Sequence, residues 1–160
     1  ALLGVIEPQS TGIGGDCFCL YAPAGTGKVV AMNGSGRAPG AATPENLRAA
    51  GLSAMKADSA HSVTIPGAVG AWAKLNAAYG RKPLDFLLAP AAKAAEEGFF
   101  VHARVAHDWE EAAGKLRAHP ASAKHYLVDG EAPRMGTRMA FPALARTLRA
   151  IGKEGPRALY

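Results

Sequence analysis

The stretch between Glu7 and Tyr21, EPQSTGIGGDCFCLY, constrains the fold more than any other part of the sequence. Pro8 ends the apolar, helix-like run before it, because proline lacks the backbone N–H that a helix needs. Glycines follow, and they permit backbone conformations and close approaches that a Cβ would block. Residues 17–21 are apolar and aromatic, which is typical of a buried strand. The pattern predicts a helix, then a structural hinge, then a core strand. The hinge is expected at Gly12, Gly14 and Gly15.

Composition indicates a folded domain and excludes two classes of partner. Hydrophobic residues make up 49% of the 160 residues, which is enough to bury a core. No apolar run approaches the roughly 18 residues that a membrane-spanning helix needs. The net charge of +5 comes from basic residues scattered among acidic ones, without a Lys/Arg run. We therefore expect no nucleic-acid partner and no membrane partner.

Both ends of the sequence have features of positions inside a longer protein. Ala1 enters an apolar run without a helix cap, and Tyr160 follows a new helix-start signal at Gly155-Pro156. We expect residues 1–160 to form a single partial domain, either a fragment or a processed piece.

Cysteine and histidine spacing argues against a metal site. Cys17 and Cys19 lie two apart on the predicted strand, which is a poor geometry for a disulfide between them. A single C-x-C also lacks the second pair that a zinc site needs. His102 and His107 are five residues apart rather than four, so they do not share a helix face. We expect no metal ion and buried free thiols, which slightly favour the cytoplasm over the periplasm.

Motifs for cofactors and nucleophiles are also incomplete. The GTGK at 25–28 is followed by Val29 and a strand, whereas a phosphate loop needs Ser or Thr and a helix. The glycines at 12–15 precede a strand, so they fail the dinucleotide fingerprint. Ser10 and Thr11 lack the G-x-S-x-G elbow of a serine nucleophile. We expect no cofactor and no catalytic residue within this chain.

Periodicity and turn signals predict an α+β fold class, with a strand hairpin followed by a mostly helical segment. The hairpin joins strands at 17–21 and 28–32. Helices are predicted at 43–50, 66–79, 83–88, 90–98, 101–116 and 141–151, with a turn-rich stretch at 120–139 that contains an Asp129-Gly130 turn. Because a two-stranded hairpin is not stable alone, its sheet partners are expected outside this chain.

The segment GVIEPQSTGIGGDCF at 4–18 resembles the G-V-x-E-P-x-S-x-G-I-G-G-G-x-F signature of the γ-glutamyltranspeptidase family. Agreement with the family extends along the chain. It includes VTIPG at 63–67, LAPA at 88–91, AAEEGF at 94–99, the Tyr126–Gly130 segment and the ending at 154–160.

The resemblance implies an N-terminal-nucleophile hydrolase with an αββα sandwich. In this family a precursor cleaves itself and exposes a Thr at the start of the small subunit, where it is both nucleophile and base. A terminal α-amine titrates near pH 8, so it can take the hydroxyl proton without a histidine. The chain would then be part of the large subunit, inactive alone. Its partners would be the small catalytic subunit of the same precursor and a small-molecule amide substrate. The alternative is a non-catalytic binding or assembly module with the same architecture.

The resemblance also implies two substrate-binding residues, Ser35 and Arg37. The family's large subunit clamps the glutamyl α-carboxylate with the arginine of an Arg-Glu-x-Ala-Pro motif. Aligned on Ala38-Pro39, that arginine position holds Ser35, and Arg37 lies two residues later. This departure favours relatives that act on other amides, such as oxamate-type amidohydrolases or cephalosporin acylases. A solvated loop residue remains the alternative interpretation of Arg37.

Overall fold

The computed structural model describes residues 1–56 and 59–160. These residues form two compact units. The hairpin unit contains residues 13–75, and the helical unit contains residues 1–12 and 76–160. The expectation of a single partial domain stays a prediction. Among the described residues, no helix has the length and apolar character to cross a bilayer.

The hairpin unit contains the predicted antiparallel strand pair. Strand β1 (Cys17–Tyr21) has the predicted bounds, and β2 (Val30–Gly34) begins and ends two residues later than predicted. In their register Cys17 lies opposite Gly34 and Tyr21 opposite Val30. Lys28 stays in the turn because its N–H donates to the Thr26 hydroxyl at 3.2 Å. This local hydrogen bond competes with strand pairing and delays β2.

The prediction that β1 is a buried core strand is wrong within the described residues. Phe18 is 69% exposed and Leu20 is 77% exposed, while the alternate residues on β1 are half-buried. Cys17 and Cys19 lie on that half-buried face as free thiols. Successive side chains along a strand point to opposite faces. The described residues cover one face of β1 partly and leave the face with Phe18 and Leu20 exposed.

Two helices of the hairpin unit begin within two residues of their predicted starts. Helix α2 (Pro44–Ala49) starts as predicted, since the Thr43 hydroxyl accepts the N–H of Asn46 at 3.2 Å. A single turn of 3₁₀ helix follows at Ala60–Ser62. Helix α3 (Ala68–Tyr79) begins two residues after Pro66, and its first part belongs to this unit.

The helical unit is organised around a pair of packed helices, α4 (Leu84–Glu97) and α7 (Pro142–Glu154). The short helix α1 (Leu3–Ile6) adds Val5 to the same core. Two separate helices were predicted around Pro90, but α4 continues through it. Because proline has no N–H, one carbonyl of the preceding turn lacks its helical hydrogen bond. Pro90 lies on the exposed face, so water can hydrogen-bond to that carbonyl instead. The opposite face of α4 packs against α7 and offsets the cost of the proline.

An ion pair joins the exposed edges of these two helices. Arg149 Nη1 donates to Glu96 Oε1 at 3.0 Å, and a second, parallel bond makes the contact bidentate. These hydrogen bonds hold the pKa of the Glu96 carboxyl below its ordinary value. The same contact raises the pKa of Arg149.

The rest of the helical unit combines α5 (Ala103–Arg117), α6 (Pro120–Tyr126) and a two-residue strand pair, β3 (Phe99–Phe100) with β4 (Arg138–Met139). A 3₁₀ turn at Pro156–Ala158 follows α7. Helix α5 has nearly the predicted bounds and buries Trp109, whose ring lies 6.3 Å from that of Tyr126. The stretch at 120–139 that was predicted to be turn-rich contains a helix, α6, and a short strand, β4. Its Asp129-Gly130 turn is confirmed, with both residues at positive φ.

Candidate functional site

The two residues singled out for substrate binding lie where β2 ends, in a segment that we call the site loop (residues 34–37). Burial alternates along it, with Gly34 and Gly36 half-buried and Ser35 and Arg37 exposed. This alternation is that of an extended chain, in which residues two apart point to the same side. Ser35 and Arg37 are therefore presented to solvent together.

A carboxylate that the sequence interpretation missed fixes the centre of the site loop. Asp16 Oδ2 accepts a hydrogen bond from the Ser35 hydroxyl at 3.2 Å, and Asp16 Oδ1 accepts the N–H of Gly36 at 3.0 Å. The N–H of Ser35 donates to Asn33 Oδ1 at 2.9 Å. Hydrogen bonds to a charged acceptor are stronger than neutral ones. The only sequence signal for this contact was an acidic residue immediately before β1.

Backbone contacts hold the other side of the site loop. The N–H of Ile65 donates to the carbonyl of Arg37 at 3.0 Å. A Cβ on Gly36 would overlap the carbonyl oxygen of Ile65, and a Cβ on Gly67 would overlap that of Gly34. Main chain thus packs directly on main chain here, which only glycine permits. The sequence pattern did not predict the need for glycine at 34 and 36.

The predicted hinge glycines have different surroundings. A Cβ on Gly12 or Gly14 would meet nothing within 4 Å among the described residues, and neither glycine has a positive φ. The expected crowding is therefore not found at these two positions among the residues that the structure describes. Gly15 acts through its carbonyl, which accepts the N–H groups of Gly67 at 3.1 Å and Ala68 at 3.0 Å. These two N–H groups lie at the start of α3, where backbone donors have no acceptor within the helix, so the Gly15 carbonyl supplies one.

The guanidinium of Arg37 is available for an external anion. Within residues 1–56 and 59–160 it makes no ion pair with an acidic side chain, whereas Arg104, Arg117 and Arg149 each do. An exposed guanidinium on a fixed backbone can bind a carboxylate through two parallel hydrogen bonds. Among the described residues, the site loop therefore presents a guanidinium without an ion-pair partner, that of Arg37, and a hydroxyl that is already hydrogen-bonded, that of Ser35.

Helix α5 carries a group of potential metal ligands that the histidine spacing did not predict. His107, Asp108 and Glu111 each bring one ligand atom within 4.8 Å of the others. Asp108 already pairs with Arg104 at 2.9 Å and accepts a hydrogen bond from Gln9 at 3.4 Å. Because the charge of Arg104 opposes a cation at Asp108, we interpret the group as surface ion pairs. The expectation of no metal ion stays a prediction.

Comparison with known proteins gives consistent results over the whole chain. A family model described as Gamma-glutamyltranspeptidase matches residues 1–160. An oxamate amidohydrolase proenzyme of Klebsiella pneumoniae is 35% identical, and the match covers 100% of this chain and 31% of the relative. A glutathione hydrolase-like proenzyme of Bacillus subtilis is 34% identical, with coverages of 100% and 30%. The chain thus spans about a third of the length of these curated relatives.

Solved structures give the same result for the fold. Cephalosporin acylase from Bacillus halodurans matches with a TM-score of 0.90 at 36% identity, covering 99% of this chain and 31% of that one. Helicobacter pylori gamma-glutamyltranspeptidase matches with a TM-score of 0.85 at 26% identity, covering 99% and 46%. The expected fold class is confirmed: an α+β strand hairpin followed by a mostly helical segment, as in N-terminal-nucleophile hydrolases.

Proposed function

The chain belongs to the gamma-glutamyltranspeptidase family, and from this we propose that residues 1–160 are a large-subunit part of an autoprocessed amide hydrolase or acyltransferase. Two observations support the proposal. The curated relatives are proenzymes of which the chain spans 31% and 30%. The sequence of residues 1–160 also contains no G-x-S-x-G elbow of a serine nucleophile. The nucleophile is then a Thr that opens the small subunit.

The small catalytic subunit of the same precursor is the partner that we propose for the exposed strand face. Phe18 and Leu20 on β1 and Val29 beside β2 are each more than two-thirds exposed. Burying apolar surface of this kind releases about 25 cal/mol per Å². The open space around Gly12 and Gly14 leaves room for the same partner to approach the backbone, which is the role that we propose for these hinge glycines.

The substrate that we propose is a small amide whose carboxylate binds Arg37. The observation that carries this proposal is the combination of a tethered loop backbone with a free, exposed guanidinium. Relative to position 35, where the family motif has its arginine, Arg37 originates roughly 6–7 Å further along an extended chain. It therefore suits a carboxylate placed differently from that of a γ-glutamyl group. Oxamate, named in one relative, joins a carboxylate directly to an amide.

Steady-state kinetics of the matured full-length protein test the substrate proposal. The substrates are oxamate, a γ-glutamyl anilide and the analogue of that anilide without the α-carboxylate. We expect poor turnover of the γ-glutamyl anilide by the wild type and an improvement with Ser35→Arg. We expect Arg37→Ala to lower kcat/KM for oxamate by roughly ten-fold or more, since a charge-assisted bond contributes about 1.5–3 kcal/mol.

Arg48→Ala, which removes another exposed arginine of the hairpin unit, is the matched control and should change little. A strong wild-type preference for the carboxylate-bearing anilide that Arg37→Ala leaves intact would place the clamp elsewhere and overturn the assignment.

A further inference from the structure

Two departures from the family pattern contact each other in the structure. Asp16 occupies the position of the fourth and last glycine in the G-I-G-G-G signature, and Ser35 occupies the position of the arginine in the Arg-Glu-x-Ala-Pro motif. They lie 19 positions apart in sequence, yet the Ser35 hydroxyl donates to Asp16 Oδ2 at 3.2 Å. A glycine at position 16 could not make this bond, because it has no side chain.

The contact changes what position 35 can bind. An arginine at 35 would lie beside the Asp16 carboxylate and pair with it, so its charge would be neutralised within the protein. A substrate carboxylate placed there would face the negative charge of Asp16 directly. Asp16 therefore weakens the binding of an anion by an arginine at position 35, whereas the serine found there donates a hydrogen bond to it.

The same carboxylate also fixes the backbone that carries Arg37. Asp16 Oδ1 holds the N–H of Gly36 at 3.0 Å, one residue before Arg37, while Ile65 holds the carbonyl of Arg37 at 3.0 Å. Freezing a loop in its binding conformation lowers the entropy that substrate binding must otherwise remove. The guanidinium thus projects from a backbone that is tied on both sides.

We propose that Asp16 is a positioning residue that determines where the substrate carboxylate binds, excluding it from position 35 and holding the site loop so that Arg37 receives it. This inference rests on the proposed function, because it requires Arg37 to be the anion-binding group. It assigns to Asp16 a role in substrate choice and none in bond cleavage.

The first arm of the test separates positioning from charge. In the matured full-length protein, Asp16→Gly removes both hydrogen bonds. Asp16→Asn preserves an acceptor for Gly36 and a partner for the Ser35 hydroxyl. We expect Asp16→Gly to raise KM for oxamate by about ten-fold with kcat within about three-fold of wild type, and Asp16→Asn to raise KM much less. Asp129→Asn, at an exposed turn, is the control and should change neither constant.

The second arm measures coupling between the two departures. With the γ-glutamyl anilide as substrate, Ser35→Arg alone should raise kcat/KM modestly, because Asp16 still competes for the new arginine. The double variant Ser35→Arg/Asp16→Gly should have a kcat/KM about ten-fold higher than that of Ser35→Arg. If Asp16→Gly prevents maturation, Ser35→Arg/Asp16→Asn decides the point, since it removes the opposing charge and keeps the polar group. Additive effects, with the double variant no better than Ser35→Arg, would overturn the proposal.

The two proposals fail in different ways. If Arg37→Ala leaves KM for oxamate unchanged, the substrate assignment itself fails. If Arg37→Ala raises that KM while the Asp16 variants change neither KM nor the coupling, Arg37 binds the anion and only the role of Asp16 is wrong.

Discussion

The helical unit and the hairpin unit are stabilised by different kinds of contact. In the helical unit, α4, α5 and α7 bury large side chains such as Leu88, Trp109 and Leu148. In the described part of the hairpin unit the buried residues are two alanines and one valine near the start of α3, namely Ala68, Val69 and Ala71. Its site loop is instead held by main-chain contacts at glycines and by one carboxylate.

This difference explains why the candidate site lies in the hairpin unit. A region with few buried apolar side chains has little packing energy of its own, so its geometry depends on specific polar contacts. A substitution that removes one of these polar contacts does not create a cavity in a packed core. Binding groups commonly lie on loops that a better-packed scaffold supports.

The largest effect should come from Gly36→Ala in the hairpin unit. The new Cβ would overlap the carbonyl oxygen of Ile65, and backbone cannot move aside as a flexible side chain can. We expect the full-length precursor to lose self-cleavage and soluble yield. Gly40→Ala is the matched control, since a Cβ there meets no described atom within 4 Å. A Gly36→Ala protein that matures normally and keeps the wild-type Tm would show that the site loop is not held by main-chain packing.

An intermediate effect should come from Leu148→Ala in the helical unit. Leu148 is 1% exposed between α4 and α7, and truncating a buried leucine costs about 2–5 kcal/mol of the free energy of unfolding. We expect a lower Tm with little change in kcat/KM for the protein that remains folded. Leu87→Ala, at an exposed position of the same helix pair, is the control and should shift Tm far less. Equal shifts in the two variants would mean that this core does not dominate the unit's stability.

The smallest effect should come from the Glu96–Arg149 pair, because both side chains are exposed. The folded state lowers the pKa of Glu96 below its ordinary value of about 4.3, so the ionised pair stabilises the fold above that pH. The contribution disappears as the pH falls through the lowered folded-state pKa. The Tm difference between wild type and Glu96→Gln should therefore be small at pH 7 and vanish in acid. Glu110→Gln serves as the control. If the Tm difference between wild type and Glu96→Gln grew as the pH fell, the pair would not stabilise the fold through a lowered pKa of Glu96.

Local signals predicted the parts of the fold that depend on local chemistry. The bounds of β1, the helix predicted at 43–50 and the Asp129-Gly130 turn each follow from a few neighbouring residues, and the structure confirms them. The family signature at 4–18 predicted membership correctly, since the family model matches the whole chain.

Other features depend on contacts between residues far apart in sequence. Helix α4 continues through Pro90 because α7 covers its opposite face, and no local rule predicts that. The pairing of β3 with β4 joins residues about 40 positions apart. Asp16 was missed for the same reason, because its partners lie beyond β2. The substrate-binding roles of Ser35 and Arg37 stay predictions.

We propose that this chain is one part of a self-cleaving amide hydrolase whose nucleophile lies outside residues 1–160. The most direct measurement is intact-mass analysis and N-terminal sequencing of the purified full-length precursor, followed over time. We expect two chains to appear from one, the smaller beginning with Thr, with amide hydrolysis rising in step with cleavage. A precursor that stays intact and hydrolyses no amide would contradict the claim and favour a non-catalytic binding or assembly module.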